Sequence, residues 1–375
     1  MPGRGERREA EGHEASREIR AEAEALRGYR RWEFHPTKQY VRQHGWLEPV
    51  QSYLERRAGA QVGDHWTYLT LPGEDALDVG FFHQKGLLDR RLGVWETLAI
   101  CDRYFGAQVV NRIGQPMKGW AQCTIEDLVF QPEHPLTSNF PYEVINLDYC
   151  GPLLFGANDR LQVGRHVTAL RRIFALQRRC SFMLLLTTKN GRQAFSHVAR
   201  EMMTELLQWN IENDEAFRSR YQSSFGSEDA VACTDDFPQF AQLVLPKVIA
   251  DCAREWAYEI EEVFAARYVR DDGAGNAYHM ICHTFCMTPI GRSGASQYAP
   301  DPELSSLPGQ ASLSIMRNRV NPDDRDRADS AYTRFSEQLL TRTPVDVTLL
   351  LENDSQLNDQ LKSEALALDE WWERM

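Results

Sequence analysis

The chain predicts an α/β fold: a mainly parallel sheet flanked by helices, with helical additions at the N- and C-terminal ends. Three observations carry this. Strand-sized apolar runs recur at residues 66–71, 98–101, 123–129, 142–147 and 182–186. Between the last two lies a helical pattern, with Val163, Val167, Leu170 and Phe174 on one face. The stretch 142–152, YEVINLDYCGP, is an apolar run that ends on a single acid, Asp148, before a Gly/Pro turn. Strands alternating with helices imply βαβ units. A strand that delivers a carboxylate to a turn is how an open α/β sheet presents chemistry at its carboxyl edge.

The 375 residues suffice for one large domain with appendages. Acids outnumber bases by 54 to 42. This argues against a surface built throughout for nucleic acid, although not against a local basic groove. The eight cysteines form no CxxC pair, so reduced thiols in the cytoplasm are expected rather than a disulfide framework. No stretch approaches the roughly 20 apolar residues needed to span a bilayer, and residues 1–20 lack the apolar core of a secretory signal.

In chain order, residues 1–30 read as a charged arm. Residues 31–64 hold Trp32, Tyr40, Trp46, Leu47, Val50, Tyr53 and Leu54 at near-helical spacing, a helical cap. The sheet domain runs over 65–320. After the fifth strand, one helix has Ala194, Val198, Met202, Leu206 and Trp209 on one face. Another has Phe240, Val244, Val248, Cys252, Trp256 and Ile260, with Pro246 setting its start or a kink. A strand over 278–287, a Gly/Ser/Pro-rich loop over 289–309 and a strand over 311–320 follow. A loop of that length reads as a lid or a disordered segment. Residues 321–375 form a polar helical extension.

The segment VINLDYCGPLLF, followed by a helix and then FMLLLTTK, resembles the fourth and fifth strands of the class I S-adenosylmethionine-dependent methyltransferases, which have a Rossmann-like fold. The similarity is nearest to the tRNA dimethylguanosine methyltransferases and the bacterial three-Cys-motif partner proteins. Those families place an Asp-Pro-Phe-Gly type motif here. Asp148 and Gly151 match it, while Tyr149 and Cys150 replace the Pro and the aromatic. The resemblance implies S-adenosylmethionine as cofactor and a transferase activity. It implies that Asp102, in LAICD, holds the ribose hydroxyls, and that Glu126 or Asp127, in CTIEDL, flanks the adenine. Asp148 would orient or deprotonate the methyl acceptor, with Tyr149 lining the pocket.

Two segments compete for the first-strand turn, where Gly lets backbone approach a nucleoside closely. In one, WTYLTLPG is the strand, with Thr70, Pro72 and Gly73 in the turn and EDALDVGFF as the following helix. In the other, ALDVGFF is itself strand and turn, with Asp78 and Gly80 in the motif and Phe82 where a second Gly is expected. Neither supplies a full G-x-G. A methyltransferase-like scaffold or sensor subunit of a bacterial multi-protein system, without catalysis, is therefore the alternative function.

Other clusters read more plainly. HMICHTFC holds His279, Cys282, His283 and Cys286, but strand alternation puts the histidines on one face and the cysteines on the other, which disfavours a tetrahedral metal. Arg160, Arg165, Arg171, Arg172, Arg178 and Arg179, with Lys189 and Arg192, would form either a basic rim for nucleic acid or a solvated helix face paired with acids. A protein partner is the other interaction expected. Cys150 follows a strand, but G-x-S-x-G is absent and it reads as a packing residue.

Overall fold

Among the described residues, three helical segments precede the sheet: α1 (Pro36–Tyr40), a π-helix (Val41–Leu47) and α2 (Glu48–Arg56). The computed structural model describes residues 35–56, 66–72, 76–88, 98–101, 119–121, 123–131, 133–149, 153, 160–191, 195–234, 237–271, 277–291 and 321–374. The expectations for residues 1–30, for the 311–320 strand and for nearly all of the 289–309 loop lie outside these residues.

β1 (Tyr68–Thr70) leads to α3 (Leu77–Gln84), and β2 (Leu98–Cys101) and β3 (Gly119–Ala121) follow. Two short helices, α4 (Ile125–Val129) and α5 (Pro135–Ser138), precede β4 (Val144–Asp148). The long α6 (Arg160–Leu176) connects β4 to β5 (Phe182–Lys189). Then come α7 (His197–Asn213), α8 (Glu215–Phe225), α9 (Phe237–Glu255), β6 (Tyr258–Asp271) and β7 (Ala277–Pro289). α10 (Pro322–Thr341), the two-residue β8 (Val345–Asp346), α11 (Val347–Asn353) and α12 (Ser355–Arg374) close the described chain.

The eight strands form one sheet in the order β3-β2-β1-β4-β5-β7-β6-β8. β1 to β5 pair in parallel, while β7 runs antiparallel between β5 and β6. The fold is α/β. Successive strand residues face opposite sides, and each side has its own apolar core. Leu69, Ile145, Leu147, Leu184, Leu186, Ile281 and Phe285 belong to the core shared with α6 to α10. Tyr68, Val144, Met183, Leu185, Cys282 and Cys286 belong to the core shared with the N-terminal helices, α3, α11 and α12. Both cores are continuous with the near-unbroken apolar runs of β4 and β5, as a sheet buried on two faces requires.

Four expectations need correction. The run at 123–129 is not the third strand. Thr124 caps a helix there, its side chain accepting a hydrogen bond from the Asp127 amide, and the strand is the shorter Gly119–Ala121. The second long helix stops at Glu255, because Ala257 takes a left-handed conformation (φ 54°), and Ile260 lies in β6, which went unread. On α7 the buried face is Ala199, Met203, Leu207 and Ile211, one position on from the expected one, and Trp209 is 48% exposed. The ALDVGFF alternative for the first strand also fails: residues 77–84 are helical, and the strand before them is Tyr68–Thr70.

The N-terminal helices meet the sheet closely. A Cβ added at Gly45 would sit 2.8 Å from Cε1 of Phe264 in β6. The Gly45 carbonyl also accepts a hydrogen bond from Thr284 Oγ1 at 2.5 Å. Gly45→Ala is therefore expected to destabilise the fold by about 1–3 kcal/mol through overpacking, read as a lower urea midpoint. Adding Phe264→Leu should restore part of the loss, since the ring edge is what the methyl meets.

Candidate functional site at the carboxyl edge of the sheet

β1 and β4 are neighbours, and the chain leaves them in opposite directions: β1 towards β2 and β3, β4 towards β5. This is a topological switch point, the place where open α/β sheets bind ligands outside the carboxyl ends of their strands. Thr70 ends β1 on one side of the crevice, and β4, with Asn146 opposite Thr70, ends at Asp148 on the other.

Asp148 is not a free carboxylate. Its Oδ2 accepts from Lys38 Nζ at 2.5 Å, and Lys38, on α1, is almost wholly buried. The same ammonium lies 4.7 Å from the centre of the Trp46 ring. Beneath the pair sits Cys282 of β7, which pairs with Thr187, the partner of Asp148 in β5. Burial pushes the Cys282 thiol up to about 12, so it is a neutral packing group. Lys38 was missed in the sequence. Its partner is 110 residues away, and it is the fold, not the local sequence, that shows four successive residues of α1, Pro36 to Gln39, to be buried.

Tyr149 follows Asp148 and turns to the other face. Its hydroxyl donates to Glu126 Oε1 at 3.2 Å, and its amide to the Thr187 carbonyl. Glu126, in the first turn of α4, is buried. The structure therefore joins two of the expected site residues, one after the third strand and one after the fourth. Asp127 is half-buried beside Glu126 and supports the helix cap through its amide.

On the Lys38 face, Asp78 in α3 is buried, and hydroxyls converge on its Oδ2: Thr70 Oγ1 at 2.5 Å and Tyr68 at 2.7 Å, with the Asn146 amide at 3.4 Å. Burial and the adjacent Asp78 carboxylate hold the Tyr68 phenol well above its ordinary range, which keeps it a donor. Asp78 Oδ1 and Asn146 Oδ1 are buried without hydrogen-bond partners. Gly80 lies inside α3 rather than in a strand-end turn. Pro72 is buried after β1, and β2 ends at Cys101. Gly73, Asp102, Cys150 and Gly151 lie outside the described residues.

The described arginines around α6 are largely engaged within the protein. Arg171 pairs with Asp251 and Glu255, Arg172 donates to the Val129 carbonyl, and Arg179 pairs with Asp324. His279 is exposed and His283 buried, and no cluster of metal-ligating side chains occurs among the described residues. None of the described helices is long and apolar enough to cross a membrane.

These features define an α/β protein whose polar groups gather at the switch point of a doubly wound sheet. The chain is similar to a family whose model is described as PP_RS20740-like, matched over residues 27–92 and 130–239. The matched stretches amount to less than half of the chain but include Lys38, β1, α3, β4 and β5. No curated protein matches the chain.

Proposed function

We propose that the protein is an S-adenosylmethionine-dependent methyltransferase whose site is the β1–β4 crevice. The observation that carries this reading is the set of buried acceptors there. Asp78 Oδ1 and Asn146 Oδ1 lack partners at the switch point, and a buried acceptor left without a donor costs about 1–3 kcal/mol. A cofactor bearing an ammonium group and ribose hydroxyls supplies donors to such atoms, so the residues present fit it. When bound, the cofactor supplies an electrophilic methyl group on a sulfonium.

The protein's part is positioning. Asp78, held by Thr70 and Tyr68, offers its second oxygen to the cofactor's donors. Asp102, directly after β2, takes the ribose diol, and Glu126 and Asp127 lie on the adenine side. Asp148, held by Lys38, orients the acceptor nitrogen or oxygen and accepts its proton, with Tyr149 as the pocket wall. The acceptor is a nucleic-acid base or a protein side chain.

A second reading, a methyltransferase-like scaffold without catalysis, is favoured by one observation: Lys38 already occupies Asp148 Oδ2. Isothermal titration with S-adenosylmethionine and S-adenosylhomocysteine separates the two. Micromolar binding abolished by Asp102→Ala is the expected result. No binding at millimolar ligand would sink the cofactor reading and leave the scaffold.

A further inference from the structure

A lysine is buried where four helices meet. Lys247, in the middle of α9, donates from Nζ to Ser336 Oγ of α10 at 2.7 Å. The same nitrogen lies 4.6 Å from the ring centres of Phe217 on α8 and Tyr332 on α10. Ser336 is itself fully buried, and the Tyr332 hydroxyl reaches across to Asn210 Oδ1 of α7 at 3.1 Å. Ser336 and Tyr332, which close over the amine, both belong to α10.

The charges that face this amine do not neutralise it. Asp214, which caps α8, and Asp251, one turn further along α9, favour the ammonium, while Arg254 opposes it. Both acids have other partners. Asp214 Oδ1 accepts from the Phe217 amide, and the two oxygens of Asp251 are held by Arg254 and Arg171. α8, α9 and α10 contain no histidine, and burial raises the Tyr332 phenol, which keeps it neutral. Desolvation outweighs the two acids and lowers the lysine to about 7.

α10 is also the element held over the lysine by weak charge contacts. Arg254–Asp329, Arg220–Glu337 and Arg334–Glu259 each have a partner roughly half exposed or more, and such pairs contribute little. Arg179–Asp324, in the first turn of α10, is the better shielded pair.

From this geometry we infer that Lys247 is a proton-driven latch: when its amine is protonated, α10 is released from α8 and α9. Docked, the ammonium has one neutral hydroxyl and two ring faces; released, it has water. The released lysine returns to its ordinary range near ~10.4. Between about pH 7 and pH 10 the released form therefore binds one proton more than the docked form. The opening constant rises about tenfold for each unit by which the pH falls through that window, and levels off below it. The latch is tightest in alkali. It stands whether or not the protein transfers methyl groups.

Native-state hydrogen exchange of the full-length protein at pH 6, 7, 8 and 9, corrected for the intrinsic pH dependence of exchange, tests this. In the wild type, the α10 amides should gain about tenfold in protection from pH 8 to 9, change about twofold from pH 6 to 7, and stay less protected than the β5 amides. Lys247→Met should leave α10 protection independent of pH. Ser336→Ala keeps the amine, so it should lower α10 protection severalfold yet preserve the slope. A flat wild-type profile would overturn the latch, as would a slope that survives in Lys247→Met or vanishes in Ser336→Ala. Exchange of α10 and β5 amides through one common opening would do so too, since α10 would then leave only when the whole molecule unfolds.

Discussion

Lys38→Met is expected to destabilise the protein by about 3–5 kcal/mol, the usual cost of removing one partner of a buried ion pair. Both members are largely withdrawn from water, Lys38 at 3% and Asp148 at 14% side-chain exposure, so little screening intervenes. The methionine fills the volume beside Trp46 but leaves the Asp148 carboxylate facing an apolar group. The double variant Lys38→Met, Asp148→Asn removes the stranded charge and should recover at least half of the loss. Chemical denaturation of the four proteins in this cycle gives the coupling directly. If Lys38→Met costs under 1 kcal/mol, the pair is as weak as a surface salt bridge and does not anchor the N-terminal helices to the sheet. Asp148→Asn alone addresses chemistry. On the proposed methyltransferase reading, and with the asparagine oxygen still accepting from the buried Lys38, it should lose stability yet remain folded and bind S-adenosylmethionine, while methyl transfer falls by about 10²–10⁴, the usual contribution of a positioned acid or base.

That pair also marks the limit of what the sequence made legible. β1, β2, β4, β5 and β7 could be read because each is an apolar run bounded by polar or turn residues, and burial on both faces makes such runs conspicuous. β3 could not, since Gly-Trp-Ala is too short to show a period and the denser apolar run beside it belongs to the Thr124-capped helix. β6 was hidden by spacing. Val244, Val248, Cys252, Trp256 and Ile260 continue one helical stripe across the true end of α9, and the break falls at an alanine with positive φ instead of at a glycine. The bulge at Val263 then upsets the strand's alternation, which removes the second signal. At the site, Asp148 was legible because an acid at the end of an apolar strand stands out. Lys38 and Asn146 act through partners far away in the chain, and only the folded sheet brings those together.

Replacing Lys247 by Met should raise stability near neutral pH, the reverse of the Lys38 result. Lys247 lies in the middle of α9, fully buried, donating to Ser336 Oγ of α10 at 2.7 Å, with the rings of Phe217 and Tyr332 each 4.6 Å away. No carboxylate touches it among the described residues. Burial lowers its pKa from 10.5 to about 7, against the pull of Asp214 and Asp251 and with a smaller push from Arg254. A depressed lysine pKa means that the unfolded chain binds the extra proton between about pH 7 and pH 10.5, so wild-type stability rises with pH across that window. Below it the folded state carries the full desolvation cost, ~5 kcal/mol from the shift alone. The aromatic faces and the lost Ser336 bond offset part of this, leaving a net gain of about 2–4 kcal/mol for Lys247→Met at pH 6–7. Above pH 11 both lysine states are neutral, and the advantage of the methionine should vanish or reverse. Thermal unfolding of both proteins at pH 6, 8 and 10 tests the sign. A Met variant less stable than wild type at pH 6 would mean that the two rings and Ser336 hold the ammonium more favourably than water does.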